Sequence, residues 1–297
     1  MKIISEIDKM KTYARIMKKE NKLIGLVPTM GYLHEGHMSL MRVARKQCDV
    51  VILSIFVNPI QFDPSEDYNK YPRDTKRDEE FARTSGADVV FYPKKEDMYP
   101  KGFSTYVEVE GITENLCGRS RKGHFRGVTT VVAKLFEITK PDIAYFGQKD
   151  AQQAIVIKKM ICDINMDVTV KIMPIVREKD GLAMSSRNTY LTKGERKEAV
   201  LIHKALESAE EAVLSGERDP KKIIKVACDI ISEVSPVKID YISIVDTKDL
   251  RDITTPLKGE ILIAVAVFIG KTRLIDNAIL NVGEKTEKHE YGNAIQE

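Results

Sequence analysis

Through roughly the first 175 residues, short unbroken apolar runs alternate with stretches of helical periodicity. Leu23-Ile24-Gly25-Leu26-Val27 reads as a buried strand, and residues 50–57 as a second. Further strands are predicted at 88–92, 142–146 and 167–173, with helices over 38–47, 73–84, 128–138 and 152–162. Runs that are apolar on both faces, separated by helices, are what a parallel sheet covered on two sides requires. The expected fold is α/β, a Rossmann-like doubly wound parallel sheet, which binds ligands beyond the carboxyl ends of its strands. Near residue 176 the pattern changes. Helices over 193–215 and 221–233 are followed by strands at 237–245, 261–269 and 273–280. That order predicts a smaller C-terminal α+β domain. The expected division is 1–176, then 177–282 as a lid domain, then a polar tail over 283–297.

Composition narrows the class. The 297 residues are 43% hydrophobic and 31% charged, ordinary for a globular chain. A formal charge of +3 leaves no footprint for nucleic acid. No apolar run is long enough for a membrane span, and the charged start, Met1-Lys2-Ile3-Ile4-Ser5-Glu6, lacks the core of a secretory signal. Cys48, Cys117, Cys162 and Cys228 are scattered without Cys-x-x-Cys spacing, which predicts reduced thiols in a cytoplasm.

Two of the five histidines lie in Pro28-Thr29-Met30-Gly31-Tyr32-Leu33-His34-Glu35-Gly36-His37, at the end of the first predicted strand and the opening of a helix. A helix N-terminus offers unpaired N–H groups and partial positive charge, so it attracts phosphate. Two imidazoles there can add hydrogen bonds to phosphate oxygens as charge develops. A zinc-binding pair and plain helix capping are the competing readings. The usual phosphate loops are missing: Gly270-Lys271-Thr272 has Val265 where the first glycine belongs, and no G-x-G-x-x-G follows the first strand.

Three further segments fall beyond predicted strands or at the domain junction, and a fourth is a basic loop before a helix. Gly147-Gln148-Lys149-Asp150 offers a cation for phosphate and a carboxylate for ribose hydroxyls or a helix cap. Met184-Ser185-Ser186-Arg187 could close a cationic loop on a triphosphate, or be a linker. Asn58 and Gln61 are uncharged amides suited to hydroxyl and carboxylate recognition, and Gln153 could join them; turn and cap roles compete. The basic loop at 116–127, containing His124, reads equally as an anion-binding wall or as a solvated loop.

These segments, with Phe56-Val57-Asn58-Pro59, Gly123-His124-Phe125-Arg126-Gly127, Ala144-Tyr145-Phe146-Gly147 and Gly181-Leu182-Ala183-Met184, closely resemble the pantothenate synthetases (pantoate–β-alanine ligases). The likeness runs in order over about 20–192 and resumes weakly at Asp240-Tyr241 and at 273–277. It implies a nucleotidyltransferase-like ligase that joins (R)-pantoate to β-alanine, releasing AMP and pyrophosphate, with ATP as substrate, Mg²⁺, unknown metal ligands, and a homodimer. By the same resemblance Met30, Gly31, Tyr32, Leu33, His34, Glu35, Gly36 and His37 hold ATP, and His37 donates a proton to the departing phosphate. Gly147, Gln148, Lys149, Asp150, Val176, Met184, Ser185, Ser186 and Arg187 complete the ATP site. Gln61 touches pantoate and β-alanine, and Gln153 touches pantoate. His34, His37, Lys149 and Arg187 surround the phosphate charge during adenylate formation. Gln148 departs from the glutamate common in the family, while Lys149 and Asp150 are retained. Two other classes share some of these features: a nucleotidyltransferase acting on a phosphate ester, and a non-catalytic nucleotide or RNA-binding module.

Overall fold

The computed structural model describes residues 1–64, 66–233, 237–283 and 287–288. The chain divides into two compact units. One comprises 1–113, 117–147 and 153–173; the other comprises 114–116, 148–152 and 174–297.

The first unit is built on six parallel strands: β1 (Lys2–Ile4), β2 (Ile24–Thr29), β3 (Val50–Ile55), β4 (Val89–Phe91), β5 (Ile143–Gly147) and β6 (Thr169–Met173). Their order across the sheet is β1-β4-β3-β2-β5-β6. All pairings are parallel, with Ile24 opposite Val50 and Gly25 opposite Ile143. The order reverses about β2, so the carboxyl ends of β2, β3 and β5 flank the switch point where doubly wound sheets bind ligands. The inner strands β2, β3 and β4 form because Val27, Val51, Leu53 and Val90 are buried among Leu40, Met41 and Ala44 from a flanking helix, leaving those strands little solvent face to alternate toward.

The helices are α1 (Ile7–Lys19), α2 (Glu35–Gln47), α3 (Thr75–Thr84), α4 (Lys95–Met98), α5 (Cys117–Ser120), α6 (His124–Thr139) and α7 (Ala151–Asp163). The hydrophobic pattern did not yield β1 or α1. In α1 only Met10 and Ala14 are fully buried, so its apolar stripe is one residue wide per turn and is drowned by lysines. Helix α6 begins four residues earlier than its apolar run and buries nearly all of its length.

The second unit contains α8 (Lys193–Leu214), α9 (Pro220–Ser232) and an antiparallel sheet of β7 (Val237–Asp246), β8 (Gly259–Ile269), β9 (Thr272–Val282) and β10 (Glu287–Lys288), in the order β10-β9-β8-β7. Ile202, Leu206 and Val213 of α8 and Ile223 of α9 share a core with Ile261, Ile263 and Val265 of β8. Two helices on one face of an antiparallel sheet is the α+β arrangement that the change of pattern implied. The expected polar tail falls, apart from Gly283, Glu287 and Lys288, outside the described residues.

Candidate active site

Met30 to His37 follow β2 directly. Gly31 and Tyr32 both take left-handed conformations, at φ 82° and 52°, which turns the chain sharply into α2. The two histidines cap that helix reciprocally. His34 Nδ1 accepts from the Gly36 N–H at 3.2 Å, and His37 Nδ1 accepts from the His34 N–H at 3.3 Å. In a neutral ring the remaining proton is therefore on Nε2 of each histidine. The ring centres lie 4.0 Å apart with the planes tilted by 37°, so the two imidazoles are held side by side. Gly36 is required by closeness: an added Cβ would sit 2.9 Å from His34 Cε1. Capping and donation are thus compatible uses of one geometry.

Helix α3 holds this turn from outside, through residues that no sequence pattern marked. Asp78 is 2% exposed and accepts from the N–H groups of Tyr32, at 2.8 Å, and Leu33, at 2.7 Å. Burial pushes its carboxyl up, against the two backbone N–H bonds, which favour the charged form. Arg77 donates to the Leu33 carbonyl at 3.1 Å and stacks its guanidinium 4.6 Å from the centre of the Tyr32 ring.

Beyond β3, residues Pro59–Gln61 form a single 3-10 turn. Asn58 is 1% exposed, and its amide nitrogen donates to Gln61 Oε1 and to the Gly127 carbonyl, each at 3.0 Å. Tyr99 donates its hydroxyl to Asn58 Oδ1 at 2.7 Å. A carbonyl can only accept, so the Gly127 contact settles which end of the Asn58 amide is nitrogen. Gln61 must then present its oxygen to Asn58, leaving its Nε2 donor on the side of Met30, whose sulfur lies 3.2 Å away. Met30 and Gln61, from different motifs, meet in this unit, whereas Asn58 faces the protein. Gln153 is half-buried in the first turn of α7.

In the second unit, Gln148–Asp150 form another 3-10 turn. Asn277 of β9 donates to the carbonyls of Gln148, at 2.9 Å, and Lys149, at 3.0 Å, and its Oδ1 accepts from Gln148 Nε2 at 3.3 Å. The side chain at 148 must therefore donate, which glutamine does and an ionised glutamate cannot. Lys149 Nζ is 3.6 Å from Asp150, a loose pair that leaves the ammonium available to a stronger anion. Val176 and Met184 are joined by a backbone hydrogen bond of 3.0 Å across a narrow hairpin. Arg177 braces that hairpin with a two-point pair to Asp276, itself buried, at 2.5 and 3.1 Å. Ser185 accepts from the Arg187 N–H and caps the 3-10 helix Ser186–Tyr190. Asp78 and Arg177 carried no mark in the sequence, and Asp276 and Asn277 surfaced only in the weak resemblance at 273–277. Their use is decided by partners far along the chain.

A family model described as pantoate-beta-alanine ligase matches residues 2–279. The pantothenate synthetase of Acetivibrio thermocellus is 55% identical over 282 residues, covering 95% of this chain and 100% of that protein. That of Thermotoga neapolitana is 54% identical over 280 residues, with 94% and 100% covered. Among solved structures, the pantothenate synthetase of Thermus thermophilus superposes with a TM-score of 0.87 at 40% identity, covering 93% of this chain and 98% of that one. A pantoate-beta-alanine ligase from Francisella tularensis, complexed with beta-gamma ATP and beta-alanine, superposes at 0.76 with 35% identity, covering 93% and 97%.

Proposed function

The chain belongs to the pantoate–β-alanine ligase family, and from that premise we propose that it condenses (R)-pantoate with β-alanine at the expense of ATP. The match across residues 2–279 carries this reading. The reaction has two steps. The pantoate carboxylate attacks the α-phosphorus of ATP and pyrophosphate leaves. The amine of β-alanine then attacks the acyl carbon of the adenylate, and AMP departs. No protein nucleophile is needed, so the work of the site is alignment and neutralisation of charge.

Each candidate residue has a task that suits its geometry. His34 and His37 aim Nε2–H donors at the phosphates, and His37 serves the departing group; the reciprocal cap supports this by setting both tautomers. Lys149 and Arg187 add cationic contacts, and Met30 to Leu33, Glu35, Gly36, Gly147, Gln148, Asp150, Val176, Met184, Ser185 and Ser186 frame the nucleotide. The second unit acts as the lid. Gln61 donates its amide to pantoate and contacts β-alanine, Gln153 adds a second amide to pantoate, and Asn58 orients Gln61. Mg²⁺ would accompany the triphosphate and neutralise part of its charge, keeping most of its waters. The assembly is a homodimer in the cytoplasm; four free cysteines support a reducing compartment.

The deciding experiment measures AMP release with ATP, pantoate and β-alanine, omitting each in turn. AMP should accumulate only with all three, while pyrophosphate should exchange into ATP with pantoate alone. A stable nucleotidyl product on a phosphate ester would instead indicate the related transferase chemistry. Sedimentation giving only a monomer mass would remove the dimer.

A further inference from the structure

Within the basic segment at 116–127, Lys122 and Arg126 are exposed while His124 is built into the protein. His124 opens α6 and is 8% exposed. Its Nδ1 lies 2.8 Å from the main-chain oxygen of Gln61, and its Nε2 lies 3.0 Å from Arg121 Nη1. A guanidinium only donates and a carbonyl only accepts. Hence Nε2 accepts from Arg121, and Nδ1 carries the proton given to Gln61. Arg121 is itself fixed by Glu66 through contacts of 2.6 and 2.9 Å, and Glu66 also accepts from the Asp63 N–H at 3.2 Å.

The same helix end makes room for the turn it holds. A Cβ at Gly127 would lie 2.5 Å from the Ile60 carbonyl oxygen and 2.6 Å from Gln61 Cα. Only a glycine lets α6 approach that closely. Asn58 and Tyr99 orient the Gln61 side chain from the other direction. Main chain and side chain of one residue are thus fixed by separate groups, more than a solvated turn would need.

We propose that His124 is a positioning residue for the acid substrate. Held as the Nδ1–H tautomer by the Arg121–Glu66 pair, it pins the Gln61 carbonyl and so aims the Gln61 amide at the pantoate carboxylate and hydroxyls. This rests on the reading of Gln61 as a pantoate contact. It makes His124 matter to one substrate and not to ATP.

The test varies pantoate and ATP separately in steady-state assays of the full-length enzyme, with melting temperatures recorded. Gln61→Ala is the reference and should raise the KM for pantoate alone. His124→Leu should raise the pantoate KM roughly tenfold, the effect of losing one hydrogen bond, and leave the KM for ATP within about twofold. His124→Asn, whose amide nitrogen can take the place of Nδ1, should recover most of that loss. Arg121→Met should give a smaller loss with the same selectivity, and it carries the test if His124→Leu does not fold. A normal pantoate KM in His124→Leu beside a raised one in Gln61→Ala overturns the inference. So does equal loss for both substrates in either network variant. A normal pantoate KM in Gln61→Ala instead overturns the assignment of Gln61, and the inference with it.

Discussion

The histidine turn after β2 and the lysine turn at the end of β5 are both short and both follow a parallel strand, yet different chemistry holds them. The first is gripped by a buried carboxylate that accepts from two consecutive N–H groups. The second is gripped by a neutral amide that donates to two consecutive carbonyls. The first turn also braces itself through the reciprocal cap of His34 and His37. The second depends on a strand whose partner residue is 128 positions away. Hydrogen bonds to an ionised group are roughly twice as strong as neutral ones. The comparison therefore makes the histidine turn the rigid member and the lysine turn the one that a single neutral substitution can loosen.

The largest effect should come from the chemistry that the rigid turn presents. His37→Ala is expected to slow adenylate formation by about 10²–10³-fold while ATP binding changes far less. Single-turnover adenylate formation at the normal rate in that variant would remove His37 from the departing phosphate. Next comes the clamp. Asp78→Ala leaves two N–H groups of a tight turn without their carboxylate and should cost about 3 kcal/mol of stability by denaturant titration. Asn277→Ala should cost less, about 1–2 kcal/mol. If the order of those two is reversed, the charged clamp is not the stronger one.

A finer cut lies at residue 148. Gln148→Glu would set a carboxylate against Asn277 Oδ1, and turning the Asn277 amide over would only set that oxygen against the Gln148 and Lys149 carbonyls, so stability should fall by about 1–2 kcal/mol. An unchanged melting temperature would show that the bond from residue 148 to Asn277 contributes nothing to the turn. The smallest effect concerns acid. Burial works against ionisation of Glu66, but the hydrogen bonds and charge of Arg121 outweigh it and hold the carboxyl below its ordinary 4.5. A depressed folded value contributes stability above the unfolded value and loses it as pH falls through the folded one. The stability gap between wild type and Glu66→Gln should thus be full near neutrality and shrink below about pH 4. A gap independent of pH would show that the ion pair contributes only through packing.

Much of this molecule was legible in the chain itself. Apolar runs located the inner strands β2 to β5, because a strand buried on both faces has few polar positions to confuse the reading, and β6 was found although Thr169 is exposed and Lys171 interrupts its run. They missed β1, which is three residues long, and α1, whose buried stripe is thin. The histidine turn was legible because glycines, histidines and a helix start lie within eight residues, so its geometry is local. The basic loop was not, since nothing in residues 116–127 reveals that His124 faces a carbonyl 63 positions earlier.

The chain alone therefore determined its family, its alternation of strands and helices, and the glycine and histidine turn that opens α2, because those depend on local spacing and residue chemistry. Tertiary structure decided which ring nitrogen accepts in His34, His37 and His124, that Asn58 faces Gln61, and that Asp78, Asn277 and His124 hold the turns. A donor or acceptor acquires its role only when folding brings an opposite number within hydrogen-bonding distance, and sequence separation says nothing about that distance.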